Sequence, residues 1–186
     1  MDHGATNAKI IEKNNIIIDP RARLKCYFPK CHHFGTNIHC PPHMMDVDQI
    51  KEAISLYEYA VLLMLKTSPE RVLATADEKE KIADRRLMAD LISRVEGAAF
   101  YDGYYFSLGF GTGSCKMTWC PTVPCQALEQ NGTCRFPLKS RPSMESAGFN
   151  VFKMAANVGW DIYPIGSRCT AEQIPHAIRV GLILIG

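Results

Sequence analysis

An α/β fold is predicted: a small mixed sheet with packed helices, arranged as two pseudo-twofold halves of strand, cysteine loop, helix and strand. Three observations predict it. Apolar or alternating runs fall at 10–18, 59–66, 104–110, 160–165 and 179–185, with helical patterns between them. One cysteine spacing occurs twice, in Cys26, Cys31, Cys40 and in Cys120, Cys125, Cys134, with gaps of four and then eight residues each time. The length of 186 residues suits a single domain, with halves near 1–68 and 100–186 joined by a helix near 69–99.

Residues 10–18, with β-branched isoleucines at 10, 11 and 16–18, read as an apolar run ending at Asp19-Pro20, a strand followed by a turn. The first cysteine loop carries Pro29, Gly35, Pro41 and Pro42, which break regular structure. Asp46 is a predicted N-cap, with Gln49 three residues on in a box-like arrangement, for a helix reaching about Tyr57. The run 59–66 reads as a buried strand. A longer helix starts near Pro69; Leu87, Leu91 and Val95 form one stripe with Met88, Ile92 and Ala99 beside it, the pattern of a helix packed on a sheet. Gly97 and Gly103 bracket its end. Residues 104–110 alternate as a strand, with Tyr104, Tyr105 and Phe106 expected to line the core or, as the less favoured alternative, a dimer face. Ser143 and Asn150 are expected N-caps of two short helices broken near Gly148, with Gly159 a C-terminal stop. Both cysteine loops are expected to leave the sheet in equivalent places.

The chain is 47% hydrophobic and 22% charged, with a formal net charge of +2, a globular balance without a strong electrostatic footprint. A domain of this size buries enough apolar surface to fold without staples, so the cysteines serve chemistry. Lys79, Lys81, Arg85 and Arg86 are interleaved with Asp77, Glu78, Glu80 and Asp84. Mixed signs at this spacing predict a solvated helix face, not a phosphate-binding stripe, and nucleic-acid binding is not expected. Residues 1–9 carry no apolar signal core, and the runs 60–65 and 180–185 are too short to span a bilayer. A cytoplasmic protein without membrane attachment is expected, in a compartment where clustered cysteines favour metal over disulfides.

Seven of the eight cysteines belong to the two arrays: Cys26, Cys31 and Cys40, then Cys115, Cys120, Cys125 and Cys134. Thiolates at short repeated intervals suit soft metal ions. Zinc sites pair cysteines as knuckles, and neither array has a matching second pair. Iron–sulfur clusters are larger and tolerate wider spacing, and proline beside a ligating cysteine recurs in them. Cys40-Pro41-Pro42 and Cys120-Pro121 both have it. Two [4Fe–4S] clusters are therefore favoured over zinc, with disulfides last.

The halves are unequal. Where Cys115 precedes the second array, the first has Arg21. Cys169 is a candidate fourth cofactor ligand for it, as is one of His32, His33, His39 and His43; otherwise one iron is left open. The loop Gly109-Phe110-Gly111-Thr112-Gly113-Ser114 leads into Cys115. Its glycines either let backbone amides approach an anionic cluster or serve only as a flexible turn.

Cys31-His32-His33-Phe34-Gly35 with Cys40-Pro41-Pro42, and Cys134-Arg135-Phe136-Pro137 with the block from Arg141-Pro142-Ser143-Met144-Glu145 to Asn150-Val151, resemble paired signatures of a known family. It is a family of predicted metal-binding proteins, a domain of unknown function common in methanogens and other strict anaerobes. The Pro-Ser-Met-Glu block is the most specific part. The resemblance implies cysteine-bound metal, most plausibly iron–sulfur, and no settled activity. The chain departs from it in the second array, where gaps of four residues stand in place of ferredoxin-like gaps of two.

Three functions compete. One is electron transfer, or a redox accessory protein serving a redox partner or a larger anaerobic enzyme. Another is an enzyme whose open iron, held by three cysteines, acts as a Lewis acid in a reaction such as sulfur removal, with Arg21 orienting an anionic substrate and a histidine moving protons. The third is a structural or cluster-delivery protein. No catalytic triad or dinucleotide fingerprint is present to favour another chemistry.

Overall fold

A computed structural model describes residues 4–186. Its sheet has four strands, β1 (Asn7–Glu12), β2 (Tyr59–Thr67), β3 (Leu108–Phe110) and β4 (Ala177–Ile185), in the order β1-β2-β4-β3. The order reads the same from either edge with the halves exchanged, as a twofold between β2 and β4 requires. Each half supplies one edge strand and one central strand. The α/β class holds, but every neighbouring pair is antiparallel, where a mixed sheet was expected. Each half returns its second strand beside its first, so no parallel crossover is needed.

The central pair β2·β4 runs in register from Tyr59↔Ile185 to Thr67↔Ala177. Both its faces are covered, which explains the unbroken apolar runs. Ala60, Leu62, Val180, Leu182 and Leu184 face the larger core with Phe110, Met144, Phe149 and Trp160. Leu63 and Ile183 face the opposite way, onto Met88, Leu91 and Ile92 of the long helix α3 (Glu78–Tyr101). The larger core is closed by α2 (Val47–Ile54), α5 (Met144–Ala147) and α6 (Val151–Asn157). Before these, α1 (Pro20–Leu24) precedes the first cysteine loop, and α4 (Cys115–Trp119) opens the second.

Local chemistry sets these boundaries. Gln49 Oε1 accepts from the Asp46 amide at 3.2 Å, the expected box at the start of α2, though the helix stops at Ile54. Ser143 and Asn150 cap α5 and α6 through the amides of Ser146 and Lys153, and Gly148 ends α5 at φ 92°. At Gly181 a side chain would press on Ile92 Cδ1 at 2.8 Å, so its absence lets α3 lie close against the sheet.

Several expectations shift. The first strand ends at Glu12, a 3-10 turn at Lys13–Asn15 interrupts the run, and Ile18 pairs separately with Phe149. Asp19-Pro20 begins a helix instead of a turn, because the Asp19 carboxylate caps the Arg21 amide at 3.0 Å. Pro69 starts only a 3-10 turn, Pro69–Arg71, and the joining helix expected near 69–99 begins at Glu78, where Asp77 caps the amides of Lys79 and Glu80. Its inward stripe is Asp84, Met88, Leu91 and Ile92, leaving Leu87 58% exposed. Only Leu108–Phe110 of 104–110 pairs with β4. The helix runs on to Tyr101, so Tyr104, Tyr105 and Phe106 follow its end as exposed residues and do not enter the core. Residues 160–165 form no strand: Trp160 is buried in the main core after Gly159, and the chain then walls a cavity. No helix among the described residues is long and apolar enough to cross a membrane.

Candidate metal centre

The first array lies in a loop of stacked turns between α1 and α2. The Cys31 amide donates to Cys26 O (3.1 Å), Phe34 N to Cys31 O (2.9 Å), and Gly35 N to Pro41 O (2.7 Å). Arg23, 5% exposed, donates to the carbonyls of Met44 and Met45 and so fastens the end of the loop to its start. Cys31 and Cys40 lie near enough to Cys26 that their charges, with burial as the larger cause, push its thiol up from the ordinary range. Glu145, from the Pro-Ser-Met-Glu block, also acts on Cys26.

The second array is held on α4 and the loop after it. Ser114 caps α4 through the Lys116 amide (3.2 Å), Cys115 is the first helical residue, and Cys120 follows the last. The Lys116 ammonium donates to the carbonyls of Cys120, Pro121 and Val123 and folds the chain back toward Cys125. Arg135 Nη1 donates to Pro124 O at 2.6 Å. Cys115, Cys120, Cys125 and Cys134 together line one cavity, walled by Trp119 and Phe136, whose rings stack at 5.4 Å. Burial pushes the Cys115 thiol up to about 12, and the charges of Cys40, Cys125 and Cys134 push the same way. The Phe136 amide donates to Cys134 Sγ (3.4 Å), as the His33 amide does to Cys31 Sγ (3.5 Å).

The arrays meet. Asn37, fully buried, donates through Nδ2 to Ser114 Oγ at 3.1 Å, and its Oδ1 accepts from the His39 amide (3.0 Å) and from Cys115 Sγ (3.4 Å). Cys40 Sγ reaches the same Ser114 Oγ at 3.7 Å. A two-residue bridge, Asn37 and Ser114, thus joins a cysteine of each array. Neither residue has a sequence signal of its own. Two of the three glycine amides of the loop are already engaged: Gly109 N donates to Glu96 Oε2 (2.6 Å) and Gly111 N to Pro142 O (2.7 Å).

Among the histidines, His33 and His39 are held neutral, each lowered to about 4 mainly by burial. Neutral imidazole is the metal-ligating form, and His33 Nε2 is buried without a hydrogen-bond partner among the described residues. His32 and His43 are exposed. Cys169 sits in a separate loop, where its sulfur accepts from the Gly166 amide at 3.3 Å. Arg21 is engaged in a two-point pair with the Asp19 carboxylate (2.9 and 2.7 Å), so its guanidinium is less free than the sequence implied. The Asp19 and Arg21 side chains, Lys25, Asn150 and Glu145 line a cavity of about 530 Å³ with an apolar wall from Phe149 to Val180. Glu145 faces this cavity, reachable by water yet ringed by protein, and burial raises its carboxyl above the usual range.

No three His, Cys, Asp or Glu side chains among the described residues converge on a single point as ligands of one ion. The thiols of the second array instead ring a space. Their donor chemistry fits a soft metal group, and their mutual repulsion is what a bound cation would relieve. No curated protein and no solved structure matches the chain. Residues 9–185 match a family model, and the chain belongs to that family, the predicted metal-binding proteins of the DUF2284 domain.

Proposed function

We propose that the two arrays hold two [4Fe–4S] clusters and that the protein acts in electron transfer, as a redox accessory to a partner protein or larger anaerobic enzyme in the cytoplasm. The observation that carries this reading is the junction of the arrays, where Cys40 meets Ser114, Cys115 meets Asn37, and Asn37 and Ser114 are hydrogen-bonded to each other. Cys115, Cys120, Cys125 and Cys134 would hold one cluster. Cys26, Cys31 and Cys40 would hold the other, with neutral His33 or Cys169 as candidates for a fourth position. Bound clusters would supply one-electron chemistry, with potentials set in part by hydrogen bonds to the sulfurs. The amides of His33 and Phe136 are placed to make such bonds. Trp119 and Phe136 shield the second set from water. Thiols spaced round a cavity favour a cluster, whose irons each take one thiolate, over zinc, which gathers its ligands at one centre. Anaerobic reduction followed by spin resonance and voltammetry tests the reading: two reversibly reduced, mutually coupled centres are expected, and redox-silent metal contradicts it.

One observation favours a second reading. The 530 Å³ cavity holds Glu145, a carboxyl of raised pKa whose charge acts on Cys26 of the three-cysteine array. An enzyme with an open iron there would have a proton donor in Glu145 and a cation in Lys25 for an organic substrate. Finding a protein ligand on every iron would remove this reading.

A further inference from the structure

The charged stretch of α3 is solvated at Asp77, Glu78, Lys79, Glu80 and Arg86, as its sequence implies, but not throughout. Lys81 and Arg85, one turn apart, turn inward toward Arg179 of β4; their side chains are only 13%, 16% and 10% exposed. Together with Glu78, His32 and Met117 they line a cavity of about 450 Å³. Arg71 approaches from the chain before α3.

The charges in this region do not balance. Four cations share two carboxylates, Glu78 and Asp84. Asp84 is already engaged by Arg71 Nη2 at 2.8 Å and by the Thr67 hydroxyl at 2.5 Å. Arg179 Nε lies 3.7 Å from Asp84, and Arg85 Nη1 lies 3.6 Å from Glu78, both beyond hydrogen-bonding distance. These two N–H groups are buried and have no hydrogen-bond partner among the described residues. Burial, with the repulsion of Arg85 and Arg71, lowers the Arg179 pKa. An occluded guanidinium whose nearest carboxylate is beyond hydrogen-bonding distance is only partly compensated, and the arrangement makes sense when a ligand supplies the missing negative charge. Donors arrive from two adjacent turns of α3 and from a strand, hence from several directions. That geometry suits a tetrahedral oxyanion better than a planar carboxylate.

We propose that Lys81, Arg85 and Arg179 form a binding site for a small tetrahedral oxyanion of the phosphate or sulfate class. The site lies against both cysteine loops: His32 follows Cys31, and Met117 lies two residues beyond Cys115. An anion held here sits beside both candidate metal sets, yet the site is built without any cysteine and stands apart from the identity of the metal.

The test is thermal unfolding and calorimetry of the anaerobically purified full chain, titrated with inorganic phosphate, sulfate and acetate at constant ionic strength set by chloride. Phosphate or sulfate should raise the unfolding temperature saturably, and acetate should not. A response to phosphate alone assigns the phosphoryl class, and one to sulfate alone the sulfuryl class. Arg85→Gln should weaken the apparent affinity by about tenfold or more, the loss of a charge-assisted pair. Arg85→Lys should weaken it less, and Lys79→Gln, on the exposed face, should leave it unchanged. In oxyanion-free chloride buffer Arg85→Gln should unfold at the same or a higher temperature, since it removes repulsion against Arg179. No response beyond that to chloride, an equal response to acetate, or a loss of stability by Arg85→Gln without oxyanion would each overturn the proposal.

Discussion

Gly132 lies between Cys125 and Cys134, in the stretch that sets how far apart these two thiols stand. Leu128 N donates to Cys125 O at 3.1 Å, Glu129 N to Gln126 O at 3.0 Å and Gly132 N to Glu129 O at 2.9 Å, so two tight turns follow one another. A Cβ at Gly132 would fall 1.8 Å from Gln126 O, 2.9 Å from Gln126 C and 3.1 Å from Glu129 O. Side-chain carbons essentially never approach closer than 3.0 Å, so Gly132→Ala must open the turn by about 1.2 Å. The obstacle is backbone, which cannot rotate aside. Backbone strain of this kind costs about 1–3 kcal/mol. Ligand geometry tolerates only about 0.5 Å, so the larger effect falls on the site. The sheet and α3 lie elsewhere, and the variant should fold. Iron and sulfide per chain after anaerobic purification, with unfolding temperature measured alongside, should show about half the wild-type iron, the share of the first array remaining. A Gly132→Ala protein with its full complement of iron would refute the idea that Cys125 and Cys134 serve one centre through this turn.

Other perturbations probe the frame around the site. Glu96 on α3 receives both the Arg141 guanidinium and the Gly109 amide, in a pair whose side chains are 17% and 13% exposed. Glu96→Ala leaves the Gly109 amide and the Nε and Nη2 of Arg141 without their acceptor, though Nη1 keeps the carbonyls of Pro137 and Ser140, and should cost about 1–3 kcal/mol in denaturant unfolding; a loss within error would show that the pair contributes nothing. Asn37→Ala leaves the half-buried His39 amide without its acceptor, at about 1–3 kcal/mol, and should weaken coupling between the two centres in spin resonance. Unaltered coupling would remove Asn37 from the bridge. The Asp19 carboxyl is held well below its usual range by hydrogen bonds from the Arg21 side chain and amide. A depressed carboxyl stabilises the fold above its unfolded pKa of about 4 and loses that contribution as pH falls further. Asp19→Asn should flatten the acid limb of the stability curve, and an unchanged acid limb would count against the pair.

Much of the frame was legible in order. The unbroken apolar runs marked β2 and β4 because both faces of these strands are covered, and Ser143, Asn150 and Asp46 announced their helices through capping chemistry that is local in sequence. Errors came where local pattern lost to long-range packing. Tyr104, Tyr105 and Phe106 alternate like a strand, yet α3 runs to Tyr101 and leaves them outside. Trp160 looked like the start of a strand and is an anchor in the core. The cysteine repeat pointed to the two arrays, and the structure brings Cys115, Cys120, Cys125 and Cys134 to one cavity. It could not show that Asn37 and Ser114 join the arrays, since that pairing spans 77 residues. Nor could charge alternation along α3 reveal that Lys81 and Arg85 turn inward, because the partner that sets their surroundings, Arg179, comes from the final strand.

The central claim is tested most directly by purifying the full chain without oxygen and measuring iron, acid-labile sulfide and zinc together. Two clusters predict a brown protein with about eight irons and a matching amount of sulfide per chain. A colourless protein carrying only zinc, or cysteines joined as disulfides, would contradict it.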